Sequence, residues 1–149
     1  MPEGVELVYQ NKLEFDITPT EAQPTWAQVC KGFTDVSESL NEVVEQFSYL
    51  CSEGWGYSEV VGGQYTNTLT GHRYIGDAFQ DWLFDPEVQL KFGSSRKTRM
   101  RITSKSGLIV VWDVTLANIT ASGGNARATN AISVTIHGNG APEIETVTP

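Results

Sequence analysis

The sequence predicts a mainly β fold, either a β-sandwich or an open barrel, with one flanking α-helix. Three observations support this prediction. Val, Ile, Thr and Ser recur in short runs, which favours strands over helices. Apolar and polar residues alternate within several of these runs, whereas the spacing of an amphipathic helix is strong in one segment only. The chain has 149 residues, of which 40% are hydrophobic, so we expect a single domain over 1–149.

The N-terminal part predicts two strands. Alternation over residues 5–17 indicates a strand with one buried face, turning tightly at Gln10-Asn11. The apolar residues of this segment all occupy odd positions: Val5, Leu7, Tyr9, Leu13, Phe15 and Ile17. Two prolines make 18–24 a loop, and 26–33 is a second, short strand.

The acidic segment 35–46 fits two structures. Its apolar spacing suits a helix, but its serines do not, and a long acidic loop or a projecting hairpin fits equally well. Residues 59–74 then form a strand with a bulge or bend at Gly62-Gly63. In that strand, alternation places three threonines on one face and Tyr65 and Leu69 on the other. The threonines are Thr66, Thr68 and Thr70.

The C-terminal half predicts the helix and three further strands. The helix covers 77–84, with Asp77 as its cap and Gln80 in the position of a capping box, and Pro86 ends it. Strands follow at 97–103, 108–118 and 128–138, with a loop at 122–125 between the last two. An extended tail begins at Pro142.

Charge is distributed unevenly along the chain. The net charge of −8 argues against tight binding to nucleic acid, which needs clustered cations. Residues 32–72 contain six carboxylates but neither Lys nor Arg, whereas 96–105 is strongly basic. These are either two solvated faces or complementary surfaces that pair copies of the chain. The residues predicted for such a subunit interface are Asp35, Glu38, Glu42, Glu45, Arg99 and Arg101.

The sequence predicts no catalytic site, metal site or cofactor. Its two histidines lack metal-ligand spacing, and no hydrolase, nucleotide-binding or calcium motif is present. The stripe Asp77, Asp81 and Asp85 could gather a cation, but such a stripe is more often simply the solvated face of a helix. Cys30 and Cys51 are expected to be two free core cysteines of a protein made in a reducing compartment.

Several segments together resemble tail tube proteins of phages with long, non-contractile tails. The resemblance follows the family's order along nearly the whole chain, at 4–17, 32–42, 61–65, 70–77 and 132–143. Its most specific parts are Gly71-His72-Arg73 with Gly76-Asp77 before the helix, and the terminal Asn139-Gly140-Ala141-Pro142. One departure is 51–55, where a more polar turn is usual.

The resemblance implies a structural virion protein, not an enzyme. Subunits would form hexameric rings with a continuous β-barrel, and stacked rings would form the tube through which DNA passes. The acidic segment 35–46 would reach a neighbouring subunit or ring. Implied partners are tail terminator and baseplate or distal tail proteins, a tape measure protein inside the tube, and genomic DNA in transient contact. The tail would be assembled in the host cytoplasm, with no membrane involved.

One strand face is made of small, polar residues and is a candidate for the tube lumen, although ordinary solvation of a sheet face explains it equally well. A wall of this kind, in a protein of net negative charge, would let DNA slide without adhering. The residues predicted to face the lumen are Thr115, Ala117, Ser133 and Thr135.

Two other functions remain open from the sequence. The first is the tube of a contractile tail, a bacteriocin or a secretion apparatus. The second is a monomeric β-sandwich module for capsid decoration or binding, which would expose an aromatic cluster on its loops. Trp26 and Trp55 are the candidates for that cluster, although core packing explains them as well.

Overall fold

A computed structural model of the chain describes residues 4–121 and 125–146. Its strands are β1 (Lys12–Asp16), β2 (Trp26–Gln28), β3 (Phe33–Ser39), β4 (Val43–Phe47), β5 (Tyr57–Gly62), β6 (Thr66–His72), β7 (Lys97–Thr103), β8 (Leu108–Thr120), β9 (Ala131–Gly138) and β10 (Glu143–Thr146). Its helices are α1 (Ala78–Leu83) and α2 (Pro86–Gln89), and short 3-10 turns lie at Val8–Gln10, Leu50–Ser52 and Gly93–Arg96. The predicted loop at 122–125 lies, except for Asn125, outside the described residues.

Eight strands form one antiparallel sheet, and the mainly β prediction is confirmed. The strand order is β2-β1-β7-β8-β9-β6-β3, and β10 pairs with β8 beyond the end of β9. The sheet curls, because α1 bridges strands far apart in this order: Phe79 lies 4.7 Å from Phe15 on β1 and 5.7 Å from Phe33 on β3, between ring centroids. The result is an open barrel with two edge strands, β2 and β3.

The alternating strands β7, β8 and β9 form in the predicted segments, but β9 begins at Ala131, three residues later than predicted, and the sheet extends beyond the prediction in two places. The inner faces of β7, β8 and β9 carry Met100, Val114, Leu116, Val134 and Ile136, all between 0 and 1% exposed. Strand β8 continues two residues past its predicted end, through a bulge at Asn118, whose φ is 51°. The predicted tail after Pro142 adds β10 to the sheet.

Two short helices replace the single predicted helix. The Asp77 side chain accepts a hydrogen bond from the Gln80 amide at 3.1 Å, so the predicted cap is confirmed. Pro86 ends α1 but also occupies the first turn of α2, where proline needs no hydrogen-bond donor. Asp85 caps α2 by accepting from the Glu87 amide at 2.9 Å.

A buried glutamine fastens α1 to the sheet. The Gln80 side-chain amide donates to the carbonyls of Lys31 (2.9 Å) and His72 (3.2 Å), and its oxygen accepts from the Tyr74 amide (2.9 Å). The backbones approach closely here, since a Cβ at Gly71 would overlap the Gly32 carbonyl. All polar atoms of this buried side chain are therefore satisfied.

The predicted strand at 5–10 is wrong. This segment is exposed, ends in a 3-10 turn, and has Val5 87% and Tyr9 81% accessible. The reason lies in β7, whose last residue Thr103 already pairs with Lys12, so the sheet offers no partner to earlier residues. The predicted second strand is also shorter, because pairing with β1 covers only Trp26–Gln28.

The expectation of core cysteines is wrong as well. Cys30 and Cys51 are free thiols, as expected, but both are exposed. Cys30 follows β2 at a sheet edge, and Cys51 lies in the turn between β4 and β5. Neither position faces the interior of the barrel, because each lies in a connection rather than on an inward strand face.

Candidate assembly interface

The acidic segment forms an edge strand and a projecting hairpin. Residues 33–39 pair with β6 in the main sheet, whereas β4 and β5 form a separate two-stranded sheet. Among the described elements these two strands pack substantially only on one another. The predicted bend is confirmed, because the chain leaves the hairpin after Gly62 and a bulge lies opposite it at Val43. The projecting-hairpin interpretation is therefore confirmed, and the helix is wrong.

Both faces of this hairpin are exposed and carry large apolar residues. Val44 lies opposite Val60, each at least half accessible, and Phe47 lies opposite Tyr57. An isolated two-stranded hairpin is marginal in water, so this one needs further contacts to be stable. The exposed apolar residues are Val43, Val44, Phe47, Tyr49, Leu50, Trp55, Tyr57, Val60 and Val61.

Aromatic rings cluster at the end of the hairpin. The ring centroid of Tyr49 lies 5.3 Å from that of Phe47 and 5.4 Å from that of Tyr57. Trp55, in the same turn, is 77% exposed. Trp26, by contrast, is half-buried under two arginines. Sequence reasoning missed three rings of this cluster, because aromatic residues on an alternating strand are ordinarily core residues.

An asparagine fixes the hairpin at its base. Asn41 adopts a left-handed conformation (φ 46°), and its side-chain amide donates to the Gln64 carbonyl at 3.1 Å and the Thr66 hydroxyl at 2.9 Å. Gly63 is required opposite it, since a Cβ there would lie 2.8 Å from the Leu40 carbonyl oxygen. The two arms are therefore held together where they leave the sheet.

The four predicted acidic interface residues lie on different surfaces. Asp35 pairs with Thr70 on the outer face of β3, and Glu42 lies at the hairpin base. Glu45 lies directly opposite Glu59 on the hairpin, where like charges repel. Glu38 points inward and accepts a hydrogen bond of 2.6 Å from the Tyr65 hydroxyl. Burial, and next this bond to Glu38, raise the pKa of Tyr65 above its ordinary value.

The two predicted cationic residues differ from each other. Arg101 forms a bidentate pair with the buried Glu14, at 3.2 and 3.0 Å, and lies over the Trp26 ring at 4.4 Å. Arg99 is exposed and lies opposite Asp113 in the strand register without an ion pair between the two side chains, and its guanidinium lies 5.7 Å from the centroid of the same ring. The charge of Arg101 is thus already compensated within the subunit, and that of Arg99 is available to a neighbour.

The predicted lumen residues share one continuous face. Thr135 lies between Ala117 on β8 and Thr68 on β6, and Ser133 lies opposite Thr70. Thr115 follows on the same side of β8, because side chains alternate along a strand. The structure therefore brings all four together on the outer surface of the sheet, where Lys97 on β7 and His137 on β9 lie directly opposite Thr115.

Other candidate chemistry has its own partners. Asp77 and Asp85 cap helices, and Asp81 pairs with Arg73 at 3.2 Å. Within 4–121 and 125–146, no cluster of three or more His, Cys, Asp or Glu residues could hold a metal ion. No helix in this described part is long and apolar enough to cross a membrane.

Comparison with known proteins identifies the fold. A solved tail of an empty gene transfer agent particle, with C6 symmetry, matches 95% of this chain and 100% of its own (TM-score 0.67, 16% identity). The structure of the SPP1 tail tube matches 96% of this chain and 80% of its own, with a TM-score of 0.62 and 10% identity. The sheath/tube terminator structure of an extracellular contractile injection system matches 97% of this chain and 99% of its own, with a TM-score of 0.60 and 13% identity. The chain has the tail-tube fold. No protein-family model and no curated protein matches it.

The segment 70–77, the most specific part of the predicted resemblance, is where this tail-tube fold docks its helix. Gly71 permits the close backbone approach to Gly32, Arg73 pairs with α1 through Asp81, and Asp77 caps α1. The terminal 139–142 is the connection that carries the chain from β9 to β10.

Proposed function

We propose that this protein is a structural virion protein of a bacteriophage tail, which polymerises as stacked hexameric rings into the tube through which DNA passes. The observation that carries this proposal is the exposed apolar hairpin in a chain with the tail-tube fold. Nine large apolar residues on one projecting hairpin exceed the scattered exposure usual for a monomer. Rings of the same chain would cover them.

The sheet edges support closure into rings. Strands β2 and β3 end the main sheet on its two sides, and each leaves one edge unpaired. Open edges are aggregation-prone unless they are paired, and a closed ring of subunits pairs them. The C6 symmetry of the gene transfer agent tail is consistent with six subunits in each ring.

Charge complementarity would direct the contact between subunits. The Glu45–Glu59 pair on the hairpin repels itself in the isolated subunit, and a cation from a neighbour would relieve this repulsion. Arg99 is the predicted cation suited to this role, because Arg101 already compensates Glu14. Asp35, Glu38 and Glu42 lie on other surfaces than Glu45, so in this proposal they would make separate contacts with neighbouring subunits.

In this proposal the small, polar outer face lines the bore. Thr115, Ala117, Ser133 and Thr135 offer no long cation that would bind phosphates, so DNA and a tape measure protein could slide along them. Terminator and baseplate or distal tail proteins would close the two ends. The tube would be assembled in the host cytoplasm and act in the virion tail. The likeness to a contractile injection system keeps the tube of a contractile tail, a bacteriocin or a secretion apparatus as the alternative.

Negative-stain electron microscopy and sedimentation of the purified chain test the proposal. Wild type should form rings or tubes with six-fold class averages. Val44→Thr with Val60→Thr removes apolar contacts but keeps strand-forming residues, and it should leave a folded monomer. The matched control, Ile75→Thr with Ile144→Thr, changes two exposed residues outside the hairpin and should assemble normally.

Two outcomes would count against the tube. A wild-type chain that stays a folded monomer at high concentration would contradict it, and the aromatic end of the hairpin would then favour the monomeric binding module. Assembly of the Val44→Thr, Val60→Thr variant at the wild-type concentration would show that the hairpin does not hold the subunits together.

A further inference from the structure

The connection between β9 and β10 contains the one asparagine of the sequence that a glycine follows. Asn139-Gly140 begins this connection, and both residues are exposed. Gly140 has a φ of 82°, and a Cβ built there would meet no atom within 4 Å. The Gly140 nitrogen is therefore open to approach, because neither a side chain of its own nor a packed neighbour covers it.

The backbone amide of Gly140 is also unpaired. Within residues 4–121 and 125–146, it donates no hydrogen bond. The amide before it is held, since the Asn139 nitrogen donates to the Asp113 carbonyl at 2.7 Å and continues the β8–β9 register past Gly138. The sheet thus fixes the chain up to Asn139 and releases it at Gly140. A free backbone amide next to an exposed side-chain amide allows the two groups to react.

We propose that Asn139 is a site of spontaneous modification, at which the chain converts asparagine into aspartate and isoaspartate. The Gly140 nitrogen loses its proton to a base in solution and attacks Cγ of Asn139. This bond closes a five-membered imide as the Cγ–Nδ2 bond breaks, and Nδ2 takes up a proton and leaves as ammonia. Water then opens the imide: cleavage at Cγ gives aspartate, and cleavage at the main-chain carbonyl gives isoaspartate.

Thr115 restrains this reaction. The Asn139 side-chain nitrogen donates to the Thr115 hydroxyl at 2.8 Å. Thr115 is itself fixed in the sheet, because it pairs with Lys97 on β7 and His137 on β9. A side-chain amide held in this way turns less freely toward the Gly140 nitrogen. The hydrogen bond therefore slows closure of the imide without preventing it, since one such bond has a modest net strength.

The isoaspartate product would loosen the start of β10. Its main chain runs through Cγ, which adds one carbon to the backbone. The affected link is short, because the Asn139 nitrogen is bound at Asp113 and Glu143 pairs with Val111, two residues further along β8. Both ends of the link are fixed to the same strand, so the added length displaces the pairing of β10.

Peptide mapping of the folded, full-length chain after ageing in neutral buffer tests the proposal. The tryptic peptide that begins at Ala128 contains two asparagines, Asn130 and Asn139, so Asn130 is an internal control. Ala131 follows Asn130, and its side chain hinders the same attack. Mass spectrometry should find conversion at Asn139 at least about tenfold faster than at Asn130. An isoaspartate methyltransferase should label the product at position 139.

Two results would overturn the modification site. One is an equal rate of conversion at the two asparagines. The other is a folded chain that keeps its Asn139 amide over a period in which the urea-unfolded chain loses it, because the fold would then protect the residue.

Two variants of Thr115 test the restraint. Thr115→Val loses the hydroxyl but keeps a strand-forming side chain of the same shape, and its Asn139 should convert about fivefold faster, the factor expected for one hydrogen bond. Thr115→Ser keeps the hydroxyl and should age like wild type. Both variants should retain the wild-type circular dichroism spectrum. Equal rates in the two variants would overturn the role of the hydroxyl.

Hydrogen–deuterium exchange tests the consequence. In aged protein that bears isoaspartate, the amides of β10 should exchange at least about tenfold faster than in fresh protein, with those of β9 unchanged. Unchanged exchange of β10 would overturn the loosening. The proposed tube does not depend on any of these outcomes, because each is measured on the subunit.

Discussion

The two halves of the barrel are built from the same strands but are filled differently. Where α1 enters, Phe15, Met100 and Val114 are completely buried. A few residues away along the same strands, Leu13, Ile102 and Val110 are only partly covered and border open space. Apolar side chains on the same strands thus differ in burial, because α1 covers only one of the two apolar ends of the barrel. The filled half therefore explains how the subunit folds, whereas the open half leaves apolar side chains accessible.

The filled half should carry most of the subunit's stability. Phe79→Ala removes a ring stacked on Phe15 and completely buried, and it should cost about 3–5 kcal/mol in chemical unfolding. Phe92→Ala is the matched control, since Phe92 is 86% exposed and should change stability by less than about 0.5 kcal/mol. Similar losses for both variants would contradict the assignment of the core.

The attachment of α1 should be the next most sensitive feature. Gln80→Met keeps the side-chain length but leaves the Lys31 and His72 carbonyls and the Tyr74 amide without their partner. It should cost about 3 kcal/mol, because unsatisfied buried groups are expensive. Unfolding by urea measures the loss. A variant as stable as wild type would show that the helix is held by its apolar contacts alone.

Two neighbouring arginines should separate folding from assembly. Arg101→Met leaves the buried Glu14 without its bidentate partner and should lower the unfolding free energy by about 2 kcal/mol. Arg99→Met should leave stability within about 0.5 kcal/mol of wild type but should weaken assembly in sedimentation. A stability loss for Arg99→Met, with weakened assembly but unchanged stability for Arg101→Met, would contradict these two assignments.

The smallest effect is expected in the open half. Tyr65→Phe removes the hydrogen bonds to Glu38 and Asn67 and should cost about 1 kcal/mol at neutral pH. Because the pKa of Tyr65 is raised on folding, its stabilising contribution is present below pH about 10 and is lost as pH rises further. Wild type should therefore lose more stability than Tyr65→Phe in an alkaline unfolding series. Parallel pH profiles would contradict this account of Tyr65.

The filled half was largely predictable from the sequence. Alternation located β7, β8 and β9 because each has one buried and one exposed face. The helix start was predictable because Asp77 and Gln80 stand at cap spacing. These patterns depend only on residues close in sequence, so they can be recognised without knowing which strands are neighbours in the sheet.

The open half and its hairpin were not predictable to the same degree. Residues 5–9 alternate like a strand, but β7 ends too early to pair with them. Residues 43–61 carry apolar side chains on both faces and pack on no core of their own. Neither the alternation of a strand nor the spacing of an amphipathic helix therefore identifies them. The residues proposed for the lumen, Thr115, Ala117, Ser133 and Thr135, were predictable as one face, because alternation alone places them there. Their position in a tube depends on contacts between subunits.

Hydrogen–deuterium exchange of monomer and assembled protein tests the central claim most directly, which is that copies of the chain cover the hairpin. In the monomer, amides of β4 and β5 should exchange quickly while those of β8 and β9 are protected. On assembly, β4 and β5 should become strongly protected, with β8 and β9 little changed. Fast exchange of β4 and β5 within intact tubes would contradict the claim.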